Sequence, residues 1–144
     1  MVVLATIVAS LLLSTGGERD DEQRIPYEKL PAAARTFIET YFPAESCLYA
    51  ERERDDGRRE YEVKLSDGTD SDFHGMGEWK KVDCGYSFLP AGIVPAAIVE
   101  DLTVRYPEAK IYKAERERGG YEIELGNGLE LIYSADGTFV RADT

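Results

Sequence analysis

The chain repeats itself, and that repetition restricts its possible folds more than any other feature. Leu30-Pro31-Ala32-Ala33 opens a segment closed by Phe42-Pro43, and Val94-Pro95-Ala96-Ala97 opens one closed by Tyr106-Pro107 at the same spacing. Ala50-Glu51-Arg52-Glu53-Arg54 returns unchanged as Ala114-Glu115-Arg116-Glu117-Arg118, at the same offset. After a contraction of four residues, which a turn between strands would absorb cheaply, Tyr61-Glu62-Val63-Lys64-Leu65 is answered by Tyr121-Glu122-Ile123-Glu124-Leu125. Phe73, Gly77, Trp79 and Asp83 are matched by Tyr133, Gly137, Phe139 and Asp143. Self-similarity of this kind points to one supersecondary unit used twice.

Each copy reads as a helix followed by strands. Ala33, Ala34, Phe37, Ile38, Tyr41 and Phe42 recur at helical spacing, with Pro31 in a tolerated first-turn position and Pro43 as the stop. Val94, Ala97, Ile98, Leu102 and Tyr106 repeat the stripe more thinly, because Asp101 and Arg105 stand in place of Phe37 and Tyr41. Tyr61, Val63 and Leu65 alternate with Glu62 and Lys64, and Tyr121, Ile123 and Leu125 with Glu122 and Glu124, the period of a strand with one buried face. Asp67-Gly68 and Asn127-Gly128 are two-residue hairpin signals, and Asp136-Gly137 marks a further turn. The predicted strands run over 46–54, 59–65, 69–74 and 78–82, then 110–117, 120–125, 129–133 and 138–142. The fold class is therefore α+β: two tandem units, each a helix plus a four-stranded antiparallel meander, with the helices on one face of the sheets. Whether the two sheets join into one curved sheet is left open.

Residues 1–17 read as a signal peptide, since an apolar run from Val2 to Leu13 is too short to span a bilayer and leads into Ser14, Thr15, Gly16 and Gly17. Residues 18–25 read as a disordered linker, 26–84 as the first repeat and 85–144 as the second. Export to the periplasm or beyond follows, with no stable membrane insertion after cleavage. Twenty-eight acidic residues against 17 basic ones leave a net charge of -11, which excludes nucleic acid as a partner because a phosphate backbone needs a basic stripe. A cationic protein or peptide suits that charge better. Cys47 and Cys84 fit an oxidising compartment and could form a disulfide; equally, Cys47 falls where the second copy has Ile111, as a small buried apolar residue would.

Catalytic chemistry finds little support. His74 is the single histidine, and no nucleophile elbow or cysteine-protease signature accompanies it. No cofactor motif is present, and the chain reads as a binding protein rather than an enzyme. The predicted binding surface is the open, polar face of the sheet, with Glu62, Lys64, Asp70, Asp72, Glu122, Glu124, Glu130 and Ile132 offered to a protein or peptide. The alternative is a cation-binding envelope protein that uses Asp70, Asp72 and His74, which alternate along one strand, although their spacing is not that of an EF-hand loop. Trp79 and Phe139, at equivalent places, are expected as core anchors, and the Glu-Arg-Glu-Arg runs as hairpin ends held by cross-strand ion pairs.

The Leu-Pro-Ala-Ala helix, the Phe-Pro stop, the Tyr-Glu-Val strand, the Asp-Gly turn and the Gly-x-Trp that follows, repeated from Val94-Pro95 onward, resemble the PepSY-like family of β-lactamase-inhibitor-like proteins. The resemblance covers nearly everything after residue 26. It implies an exported bacterial protein of the periplasm or cell surface, with tandem units presenting a continuous curved surface. It brings no catalytic residues and no inhibitory contacts to this chain.

Overall fold

The computed structural model describes residues 22–117 and 119–144. The predicted signal peptide and residues 18–21 of the predicted linker lie outside them. In chain order the elements are β1 (Gln23–Ile25), a 3-10 turn (Tyr27–Lys29), α1 (Ala32–Tyr41), β2 (Cys47–Asp55), β3 (Arg58–Leu65), β4 (Asp70–His74) and β5 (Trp79–Asp83). There follow α2 (Ala96–Arg105), β6 (Ile111–Glu117), β7 (Gly120–Leu125), β8 (Glu130–Ser134) and β9 (Phe139–Asp143). The nine strands of the described residues form one open antiparallel sheet in the order β9-β8-β7-β6-β5-β4-β3-β2-β1, so each of them lies beside its neighbour in sequence. The seam between the halves is β5 on β6, with Lys81, Val82 and Asp83 opposite Glu115, Ala114 and Lys113.

One row of side chains carries the core through this sheet. Ala50, Val63, Ser71, Val82, Ala114, Ile123 and Leu131 are registered neighbours on successive strands, and none is more than 2 % exposed. Ile25 extends the row by pairing with Ala50, which is why residues 23–25 are a strand and not the end of a disordered linker. The charged residues around Gln23 concealed that contribution, since a single apolar residue shows no alternation. α1 buries Ala34 and Ile38, and Phe37 meets the Phe73 ring edge-on at 5.5 Å. α2 buries Ile98 and Leu102. Both helix starts come down on a glycine. A Cβ on Gly77 would lie 2.9 Å from the Ala33 Cβ, and one on Gly137 would lie 2.7 Å from the Ala97 Cβ. Both glycines also have positive φ, 100° and 89°, so the motif needs glycine for its backbone as well as for the approach.

The hairpins correct two expectations. Asp67 and Asn127 are not in the left-handed region, while Gly68 and Gly128 are, at φ 92° and 91°. These are therefore longer loops in which Asp67 and Asn127 accept the backbone N–H two residues on, at 2.9 and 3.0 Å, and not two-residue hairpins. Among the described residues, the two-residue turn with positive φ at both positions is Asp56-Gly57, at 53° and 76°, between β2 and β3. The four-residue difference between the halves is not absorbed in a turn either. It lengthens this hairpin by the pairs Arg54–Arg59 and Asp55–Arg58, where the β6–β7 hairpin already ends at Glu117–Gly120.

The cysteines are both free thiols, Cys84 buried and Cys47 half-buried, so the disulfide left open by the sequence is absent. Cys47 begins β2 opposite Leu65 and Cys84 follows β5, which puts β3 and β4 between them. Three strand spacings amount to roughly 14 Å, about twice what a bridge allows between Cα atoms. Among the described residues no helix is long and apolar enough to cross a membrane.

Candidate functional site: the acidic sheet face

Opposite the buried row, the strand period sets out polar ones. Arg24, Glu51, Glu62, Asp72, Lys81, Glu115, Glu122, Ile132 and Arg141 stand abreast on β1 to β9. In the next row Tyr49, Lys64, Asp70, Asp83, Lys113, Glu124, Glu130 and Asp143 do the same from β2 to β9. The eight predicted binding residues are thus brought to one face, four in each row: Glu62, Asp72, Glu122 and Ile132, then Lys64, Asp70, Glu124 and Glu130. The sequence reading omitted Glu51 and Glu53. Pairing Ala50 with Val63 would have found Glu51, because that register sets it opposite Glu62.

Like charges directly opposite on paired strands repel, and here three acids in succession, Glu51, Glu62 and Asp72, occupy adjacent strands. Some charge is compensated. Arg24 reaches Glu51 at 2.7 Å, Lys64 reaches Asp70 at 3.8 Å, Lys81 reaches Asp72 at 3.7 Å and Lys113 reaches Glu124 at 3.3 Å. Glu62 and Glu122 have no such partner among the described residues. Carboxylate oxygens of Glu51, Glu53 and Glu62 lie within 4.8 Å of one another, as do those of Glu62, Asp70 and Asp72. Partial burial, then hydrogen bonding and charge from Asp70, push the Glu62 carboxyl up to about 8. Burial, then Glu130, push Glu122 up to about 7. Glu53, Asp72 and Glu115 are raised as well, each by burial first. In the opposite sense, the Tyr112 hydroxyl donates to Glu124 at 2.6 Å and holds that carboxyl low. Among the described residues the buried Asp70 Oδ1 has no hydrogen-bond partner.

His74 does not join this cluster, so the predicted Asp70, Asp72 and His74 set is not one site. Residues four apart on a strand are separated by roughly 13 Å, too far for one coordination shell. Glu62 of the neighbouring strand closes the cluster with Asp70 and Asp72 instead. The His74 ring lies over the hairpin tips, with Nδ1 4.0 Å from Glu60 Oε2. There an open groove of about 730 Å³ also takes in Asp55, Lys80, Arg116 and Tyr121. Lys80 is tied to Glu60 at 3.0 Å and to Asp55 at 3.5 Å; burial opposes its charge, but these carboxylates outweigh it and hold the ammonium protonated. Of the Glu-Arg-Glu-Arg runs, Arg116 has a packing task. Its guanidinium lies 4.4 Å from the centre of the Trp79 ring and donates twice to the Trp79 carbonyl, at 3.0 and 2.7 Å. Trp79 itself is 8 % exposed, a core anchor, while Phe139 is only half-buried.

The fold and this face define an α+β protein that shows a broad, polar, acid-rich sheet surface to its surroundings. The family model described as "Putative beta-lactamase-inhibitor-like, PepSY-like" matches residues 18–70 and again 59–141, and the chain belongs to that family. Among solved structures it is similar to a putative periplasmic protein of the DUF2874 family from Bacteroides vulgatus, with 35 % identity, a TM-score of 0.83, and coverage of 87 % of this chain and 98 % of that one. It is also similar to a putative calcium-regulated periplasmic protein from Bacteroides thetaiotaomicron, with 33 % identity, a TM-score of 0.83, and coverage of 88 % and 99 %. A third, a putative periplasmic protein of unknown function from Bacteroides vulgatus, shows 34 % identity, a TM-score of 0.82, and coverage of 85 % and 99 %. A comparison with curated proteins finds no match. The chain is periplasmic or secreted, as these relatives place it.

Proposed function

We propose that this is a non-catalytic binding module of the cell envelope, two copies of one helix-and-four-strand unit with both helices on one face, which receives a cationic segment of a protein or peptide on the other. The observation that carries the reading is the crowding around Glu62, an acid flanked by Glu51 and Asp72 and without a cation of its own among the described residues. A partner's lysine or arginine would relieve that repulsion and donate the hydrogen bonds that solvent supplies now. The perturbed acids stand on an open sheet and not around an enclosed pocket, which suits docking better than acid–base chemistry. The test is calorimetric titration of the mature chain with a lysine- and arginine-rich peptide. Binding should weaken strongly in Glu62→Lys and less in Glu122→Lys, and should fade with added salt. Equal affinity in wild type and both variants contradicts the reading.

A second reading is favoured by one cluster and one relative. Glu62, Asp70 and Asp72 bring oxygens close enough to share a single ion, and the Bacteroides thetaiotaomicron relative is described as calcium-regulated. Three carboxylates offer up to six oxygens, in keeping with the six to eight that calcium takes, with water filling the remainder. On this reading calcium raises the melting temperature of the wild type and of His74→Ala but not of Asp70→Asn. Absence of a shift at millimolar calcium removes it.

A further inference from the structure

Each half has a groove between its helix and the chain that enters the following strand. In the first half it measures about 440 Å³ and is lined by Tyr27, Ile38, Glu39, Phe42, Glu45 and Cys47, with Pro43. Counted from the helix starts, the corresponding residues of the second half are Ala91, Leu102, Thr103, Tyr106, Ala109 and Ile111, and every one lines a groove of about 820 Å³. The same recess is therefore present twice, at two sizes. In the first half the Tyr27 hydroxyl donates to Glu39 Oε2 at 2.8 Å, and burial, followed by Glu39, pushes the phenol up to about 12. In the second half Ala91 supplies no ring, and Thr103 and Ala109 replace both glutamates. Val99, 43 % exposed, stands where the first half has Arg35.

The widened groove lies within the size range of small-molecule sites and is mostly apolar. Its lining holds one acid, Glu100, and one base, Lys110. Lys110 makes no ion pair among the described residues, and its Nζ lies 5.9 Å from the centre of the Phe88 ring, which is itself 52 % exposed. An apolar slot beside an uncompensated ammonium, in a chain whose net charge is -11, complements an apolar body that ends in an anion. We propose that the groove beside α2 binds a small amphipathic carboxylate, its alkyl or aryl body lying in the slot that Ala91 leaves open and its carboxylate on Lys110.

The mature chain is titrated by calorimetry with decanoate, with 4-phenylbutyrate and with the neutral 4-phenylbutanol, the first two separating an alkyl from an aryl preference. At least one carboxylate binds the wild type, and Ala91→Tyr, which restores the first half's ring, weakens it about ten-fold or more. Lys110→Glu weakens the carboxylate by a similar factor and leaves the alcohol unchanged. Thr103→Glu, an exposed change on α2 that restores the other lost group, weakens the carboxylate too and keeps the test valid if Ala91→Tyr does not fold. No heat with either carboxylate, wild-type affinity in the slot variants that fold, or an equal loss of acid and alcohol in Lys110→Glu overturns the proposal.

Discussion

The two halves fasten their helices to the sheet by different means. In the first, Phe37 packs among Tyr41, Phe73 and Trp79, with ring centroids 4.9, 5.5 and 6.4 Å away. In the second, Asp101 takes the place of Phe37, and the Tyr133 hydroxyl, where the first half has Phe73, donates to it at 2.7 Å. Arg105, in the place of Tyr41, grips the same carboxylate twice at 3.0 Å and lays its guanidinium 3.6 Å from the centre of the Phe139 ring. Hydrogen bonds from Arg105 and then Tyr133 hold the Asp101 carboxyl low, while burial and Asp101 hold the Tyr133 phenol high. One backbone site thus accepts either an aromatic cluster or an ionic one, provided the partners change together. A carboxylate facing Phe73 would lack its donor, and a phenol facing Phe37 would lack its acceptor.

The largest expected effect removes the first cluster. Phe73 is fully buried, and Phe73→Ala should cost about 3–5 kcal/mol in equilibrium denaturation. Next comes transplantation: Phe37→Asp is destabilising alone, and adding Phe73→Tyr recovers about 0.5–3 kcal/mol of that loss as a coupling energy. Strict additivity of the two changes would show that the Asp101–Tyr133 contact has no energetic counterpart in the first half. Tyr133→Phe keeps the ring and loses one hydrogen bond, so about 1 kcal/mol is expected. A loss as large as that of Phe73→Ala would mean that the polar network, and not ring burial, secures α2.

The smallest effect concerns the open face, where the halves again differ: three acids abreast in the first, but Glu115, Glu122 and then Ile132 in the second. The folded-state pKa of Glu62 lies at about 8, above the ordinary carboxylate value, so the folded protein holds that proton more tightly than the unfolded chain. Its contribution is fully present below about pH 4.3 and is lost as pH rises through about 8. Glu62→Gln should therefore reduce the fall in melting temperature between about pH 5 and pH 9 by on the order of 2 °C. Glu122→Gln should do so by less and over a lower window, since its carboxyl sits at about 7. Equal effects would show that the third acid of the first half contributes nothing to the crowding.

Much of this was legible because the repeat supplies each half with a second reading. Eight strands fall within one residue of the predicted ends, since alternation such as Tyr61-Glu62-Val63 needs no tertiary information. β1 was not legible, because three residues with a single apolar member declare themselves only once Ala50 is there to pair with. The two additional pairs of the β2–β3 hairpin were hidden in a run of charges that reads equally well as a turn. At the candidate site, faces could be read from parity but neighbours could not. Asp70, Asp72 and His74 share a face, yet cross-strand register makes Glu62, from β3, the third member of the cluster. The swap of Phe37 and Phe73 for Asp101 and Tyr133 was visible as two separate substitutions, and only packing joined them.

The most direct measurement is a nitrogen–proton correlation spectrum of the mature chain, recorded while a lysine- and arginine-rich peptide is added. The account predicts shifts concentrated on β3 and β4 around Glu62, Asp70 and Asp72, weaker ones on β7 and β8, and none along α1 or α2. Shifts confined to the helices, or spread evenly over the molecule, would contradict it.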